Sequence, residues 1–152
     1  MFKLDTSNTF VYPVKFTVID AKGKHAQHVI PFEFRRLSVD ERNERQQRDG
    51  TALFNELLLQ HDGDFEAAKN AFFLENLRQG KTSLTAEQQA DHLLVIVEGW
   101  KDVADASGPL DFSRANLIVL LNHVHGLYAA INAAFNEALD GPVPNPAARK
   151  NS

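Results

Sequence analysis

The sequence predicts an α+β protein: an N-terminal β-hairpin followed by a small, mainly α-helical bundle. Three observations carry this. Residues 10–34 alternate apolar and polar side chains with period two. From residue 38 onward the apolar residues recur at three- and four-residue spacing. Two capping-box sequences, Ser38-Val39-Asp40-Glu41 and Thr85-Ala86-Glu87-Gln88, mark helix starts in that second part.

Phe10, Tyr12, Val14, Phe16 and Val18 share one face of the first strand. After Asp20-Ala21-Lys22-Gly23-Lys24, a polar stretch with a glycine suited to a turn, Ala26, His28, Ile30, Phe32 and Phe34 share one face of the second. Pro13 and Pro31 fall in the opposite register and can donate no ladder hydrogen bond, so each strand is expected to be an edge on one side. A lone ribbon is marginal in water. The aromatic face therefore has to cover a helix of this chain or of another subunit, and unpaired edges offer a route to a homo-oligomer.

Ser38 opens a helix whose first half, Glu41–Arg48, is almost wholly polar. Asp49-Gly50 suggests a break or bend before Leu53, Phe54, Leu57 and Leu58. A turn at His61-Asp62-Gly63-Asp64 precedes a helix from Phe65 to Gln79, closed by Gly80, with Ala68, Phe72, Leu74 and Leu77 inward. Neighbouring Phe72 and Phe73 diverge by about 100° on a helix, so one of them is available to a second surface. The helix from Thr85 is expected to carry Leu93, Leu94, Val97 and Trp100 on one stripe and to end near Gly99. Ser113 caps a short helix with Leu117, Ile118, Leu120 and Leu121. The last helix presents Val124, Leu127, Ile131, Phe135 and Ala138 before Gly141 and the prolines after it stop the helix. The expected organisation is thus a hairpin segment 1–36, a helical domain 37–141 and a flexible tail 142–152.

Composition narrows the function. With 152 residues, the chain has room for one ordinary domain rather than two large ones. It has no cysteine, which excludes a disulfide frame, a thiolate nucleophile and sulfur-ligated metal centres. Net charge is −4, divided as +2 over residues 1–50 (nine Lys/Arg, seven Asp/Glu) and −6 over the rest, without the concentrated positive field nucleic acids require. No window reaches the roughly 20 apolar residues of a membrane span. The chain is expected in a cytoplasm, with no nucleic acid and no membrane as partner. Two histidine pairs, His123 with His125 and His25 with His28, do not complete a metal ligand set. Asp102, Asp105 and Asp111 suit turns better than acid–base chemistry, because no nucleophile or phosphate loop accompanies them. The expectation is a non-enzyme with no catalytic residues, no cofactor and no metal.

The block Gly99-Trp100-Lys101-Asp102-Val103 is followed by Gly108-Pro109-Leu110-Asp111-Phe112-Ser113 and then by Asn116-Leu117. Further on come Ala130-Ile131, Ala134-Phe135 with Ala138, and Arg149-Lys150-Asn151. Together with the Phe32–Ser38 junction, this sequence resembles the tail assembly chaperones of long-tailed bacteriophages and prophages over nearly its whole length. It departs from them at Asn122-His123-Val124-His125-Gly126, where a proline is expected before the last helix. The resemblance implies a non-catalytic protein of the bacterial host cytoplasm that binds the tape measure protein, keeps it soluble during tail morphogenesis and is absent from the mature virion. It also implies a longer frameshifted product, for which Lys150-Asn151 is a candidate position. The tail tube protein is a second candidate partner. The competing reading is a structural or adaptor protein of the tail, a tail completion or tube-associated protein that stays in the particle. Candidate partner-binding residues are Phe72, Phe73, Trp100, Leu127, Ile131 and Phe135.

Overall fold

The computed structural model describes residues 1–77 and 84–142. In chain order the elements are β1 (Thr9–Ile19), β2 (His25–Arg35), α1 (Val39–Gln60), α2 (Phe65–Leu77), α3 (Ala86–Leu93), β3 (Val97–Trp100), β4 (Ala104–Asp105), β5 (Gly108–Pro109), α4 (Arg114–His123) and α5 (Leu127–Asp140). The chain is α+β, with the hairpin ahead of the helices. Its contacts form two compact units: residues 1–36 together with those from 84 on, and the intervening segment from Leu37.

In the first unit, β1 and β2 pair antiparallel from Thr9↔Arg35 to Ile19↔His25, with Pro13 opposite Pro31. Hydrogen bonds at the two ends, Asp20 N to Lys24 O (2.8 Å) and Arg36 N to Asn8 O (2.8 Å), set the even-numbered residues of β1 as those that bond to β2. The odd-numbered residues turn their N–H and C=O groups to the open edge, so Pro13 costs the β1–β2 ladder no bond. The even face is the buried one. Val14, Ile30, Phe32 and Phe34 meet Leu93, Ile96, Leu117, Leu127, Ile131 and Phe135 in one core. Helix α5 lies on β1, where the Phe34 and Phe135 rings sit 5.6 Å apart and Phe10 stacks against both at 5.6 and 6.4 Å. The aromatic face of the hairpin is thus covered by a helix of its own chain.

Two expectations are corrected here. The helix starting at Thr85 does carry its capping box, but it ends at Leu93, and the Val97–Trp100 stretch is strand β3. Val95-Ile96-Val97 is a β-branched run that favours extended backbone, and an open strand edge on β2 lies within reach. Phe32 pairs with Trp100, Glu33 with Gly99 and Phe34 with Val97, with a bulge after Glu33. Consequently β2 is not an edge at its base: Lys101 N donates to Pro31 O (2.9 Å) and Arg35 N to Ile96 O (2.7 Å). Beyond Pro31, toward the turn, that side of β2 is open again. A second two-stranded element, β4 with β5, closes the Trp100 loop and was not expected from the turn-rich sequence.

In the second unit, Ser38 Oγ accepts from Glu41 N (3.1 Å) and Glu41 Oε1 accepts from Ser38 N (3.2 Å), the reciprocal cap that the sequence announces. Helix α1 then runs unbroken to Gln60, through the expected bend at Asp49-Gly50. Glycine lowers helix stability without forbidding the helix, and Arg45 reaches Asp49 one turn on at 4.0 Å. Asp62 (φ 54°) and Gly63 (φ 79°) reverse the chain, and Asp64 caps α2 through Ala67 N (3.2 Å). Phe54 of α1 meets Phe65 and Phe72 of α2 edge-on, with centroids 5.6 and 5.8 Å apart. Ala68 is buried as expected, while Leu74, expected inward, is exposed. The expected helix end at Gln79-Gly80 and the expected flexible tail fall outside the described residues, apart from the tail's first residue, Pro142.

Candidate functional site

Each unit keeps large apolar side chains at its surface. On the α1–α2 helical hairpin, Leu59 is 81% exposed, Phe65 58%, Phe73 63% and Leu74 54%. The cause is local. Leu57, Leu58 and Leu59 are consecutive, as are Phe72, Phe73 and Leu74, and a rotation of about 100° per residue cannot bring three neighbours to one face. Phe54 and Phe72 take the inward positions and line a shallow cleft with Gln47 and Gly50, where the missing Cβ leaves open space.

In the first unit, a cleft of about 400 Å³ opens beside Trp100. Val103, Ala104, Pro109, Leu110 and Phe112 form the rest of its apolar lining, and Asp102 and Asp111 stand at it. Trp100 is half-buried and rigidly held. Its Nε1–H donates to Leu110 O (2.8 Å), and its ring meets Phe112 (5.0 Å) and Phe32 (6.0 Å) edge-on. Asp102 has φ 60°, a left-handed conformation that Asp tolerates better than most residues. The loop is tied by Leu110 N to Val103 O (2.8 Å), Ser107 N to the Asp105 carboxylate (2.8 Å) and Asn116 Nδ2 to Asp111 O (2.8 Å).

Few titratable groups are perturbed. The Arg114 guanidinium, bonded to both oxygens of Asp91 at 2.9 and 3.3 Å, holds that carboxyl below its usual value. Tyr12, whose hydroxyl donates to Glu137 Oε1 (2.9 Å), is raised by that bond. Both contacts are at the surface and join β1 to α5 or α3 to α4; neither adjoins the Trp100 cleft. Among the described residues no three His, Asp or Glu side chains are grouped to hold a metal ion. No single described helix is long and apolar enough to cross a membrane; α4 and α5 qualify only as a pair bent by 111°.

Of the six candidate partner-binding residues, Phe73 is exposed, and Phe72 and Trp100 are half-buried. Leu127 and Ile131 are fully buried and Phe135 is 1% exposed, so these three form core and not surface. Periodicity finds residues that share a face but cannot say whether that face meets the protein's own core or a partner. Leu59, Phe65 and Leu74 were missed; the Leu57–Leu59 and Phe72–Leu74 runs were the signal that could have found them.

The geometry defines a small α+β protein that leaves aliphatic and aromatic side chains on helix surfaces and at one loop cleft. The family model described as phage tail assembly chaperone matches residues 1–142, nearly the whole chain, and the chain belongs to that family. No curated protein and no solved structure matches it significantly.

Proposed function

We propose that this tail assembly chaperone binds the tape measure protein in the bacterial host cytoplasm, keeps it soluble until the tail forms, and acts without catalysis. Its contact is made by Phe73 with Phe72, Leu59, Phe65 and Leu74 on the α1–α2 helical hairpin. The observation that carries this reading is the exposure of those side chains, 54–81% for Leu59, Phe65, Phe73 and Leu74, in a chain of this family. Apolar side chains on a helix surface suit the apolar face of an amphipathic helix, the face a long helical protein exposes before assembly. Several weak apolar contacts hold such a partner together and are released when tail proteins, the tube protein among them, compete for it. The chaperone then leaves and is absent from the finished virion.

The test is co-expression with the tape measure protein and measurement of its soluble fraction, for the natural chain and for Phe73→Ser with Leu74→Ser. The reading expects solubility that depends on the chain and falls with the double variant. A tape measure protein equally soluble without the chain overturns it, and recovery of the chain from purified virions favours a structural tail protein instead.

A further inference from the structure

We propose that the Trp100 cleft receives the β1–β2 turn of a second copy of this chain, so that Lys22 and Lys24 of one molecule lie against Asp102 and Asp111 of the next. This is independent of the tape measure reading. The two surfaces are complementary in charge. Asp102 and Asp111 stand at an aromatic and aliphatic cleft of about 400 Å³, large enough for an extended lysine side chain. Lys22 and Lys24 are exposed at the tip of the hairpin and form no ion pair among the described residues. The one acidic group of the tip, Asp20, is already engaged: its carboxylate accepts from Lys22 N (2.8 Å) and Lys24 N (2.9 Å). Those bonds, with Gly23 N to Asp20 O (3.0 Å), hold the turn in one shape before any partner arrives, which lowers the ordering cost of docking.

The contact has to be made between molecules. Phe32 of β2 is paired with Trp100, so the base of the hairpin lies beside the cleft of its own chain. Lys24, just before the start of β2, is eight residues from Phe32, about 27 Å away at about 3.4 Å per residue. A lysine side chain does not span that distance, and a paired hairpin does not fold back on itself. A second copy supplies the tip. Ile19, opposite His25 at the end of the ladder, is 60% exposed and gives the tip something to bury there. The backbone of β2 between His25 and Val29 is also open on the side away from β1, because β3 pairs only with Phe32, Glu33 and Phe34. Reciprocal insertion gives a closed dimer and one-way insertion a longer chain; both use the same contact.

The experiment is sedimentation velocity on the full chain over a concentration series, at low and high salt. Two double variants accompany it: Lys22→Glu with Lys24→Glu, and Asp102→Asn with Asp111→Asn. Asparagine keeps the left-handed backbone at position 102, and an unchanged far-ultraviolet circular dichroism spectrum certifies the fold of each variant. The natural chain should run at twice or more its monomer mass of 17.0 kDa in low salt and shift toward the monomer in high salt. Each variant alone should run as a monomer. Each retains one intact surface, so an equimolar mixture should recover a complex of the two. A natural chain that stays monomeric in low salt, a variant that keeps the natural mass, or a mixture that stays monomeric overturns the proposal. A chain that is monomeric alone but takes up a lysine-rich peptide at the cleft also overturns it and points to a foreign basic partner.

Discussion

Replacing Phe135 with alanine tests the division between core and surface that underlies the functional reading. Phe135 is 1% exposed, and its ring meets Phe34 at 5.6 Å and Phe10 at 6.4 Å. Its side chain buries on the order of 150–200 Å² of apolar surface, which at roughly 25 cal/mol per Å² is about 4–5 kcal/mol. The alanine Cβ and partial collapse of the site retain part of this, while the cavity left between β1 and α5 adds its own cost, so a loss of about 3–5 kcal/mol is expected. The same change at Phe73, 63% exposed, should stay within about 0.5 kcal/mol. Urea unfolding followed by the emission of Trp100, the single tryptophan, reads the unit that holds Phe135. Far-ultraviolet circular dichroism reads the helices of both units. The midpoint should fall sharply for Phe135→Ala with an unchanged slope. Should Phe135→Ala shift stability by less than about 1 kcal/mol, the ring does not fill a packed core and the placement of α5 on β1 is wrong.

Three further outcomes follow from the geometry. Gly50 sits inside α1 with nothing within 4 Å of where a Cβ would stand, so Gly50→Ala should stabilise the helical hairpin by about 0.5–1 kcal/mol in urea unfolding followed by circular dichroism. Trp100→Phe keeps an aromatic ring but removes the indole N–H donor to Leu110 O, a loss of about 0.5–1.5 kcal/mol for that bond alone, with the Leu110 amide exchanging faster as the loop loosens. Asp91 has its folded-state pKa held below the ordinary 3.8 by Arg114. Its contribution is therefore complete above that value and lost as pH falls through the folded one. The difference in urea midpoint between the natural chain and Asp91→Asn should shrink from about pH 5 to about pH 3, and a difference that grows in acid would refute the pairing.

How much of this was legible without coordinates differs from element to element. The hairpin was legible because period two from Phe10 to Val18 and from Ala26 to Phe34 is a strong local signal, and Asp20–Lys24 is turn chemistry. The starts of α1, α3 and α4 were legible because Ser38, Thr85 and Ser113 satisfy amides three residues away, an interaction contained within one turn of chain. The apolar stripe of α5 was legible too, but its destination was not. Leu127, Ile131 and Phe135 read equally as core or as a partner surface, and only the packing of α5 on β1 placed them inside.

Strand β3 is the clearest case of tertiary structure deciding. Leu93, Leu94, Val97 and Trp100 fit a helical stripe as well as they fit a helix that ends at Leu93 with a strand after it. What separates the two is the edge of β2 more than sixty residues earlier in the sequence, whose free carbonyls and amides reward an extended backbone at that point. That pairing places Trp100 beside Phe32, creates the cleft bounded by Asp102 and Asp111, and puts the lysines of the turn a hairpin's length away. Spacing, caps and turns are read over a few residues and were determined by the sequence alone. The faces that meet, the side chains left outside and the chemistry that comes together depend on contacts between distant segments, and only the folded chain settles them.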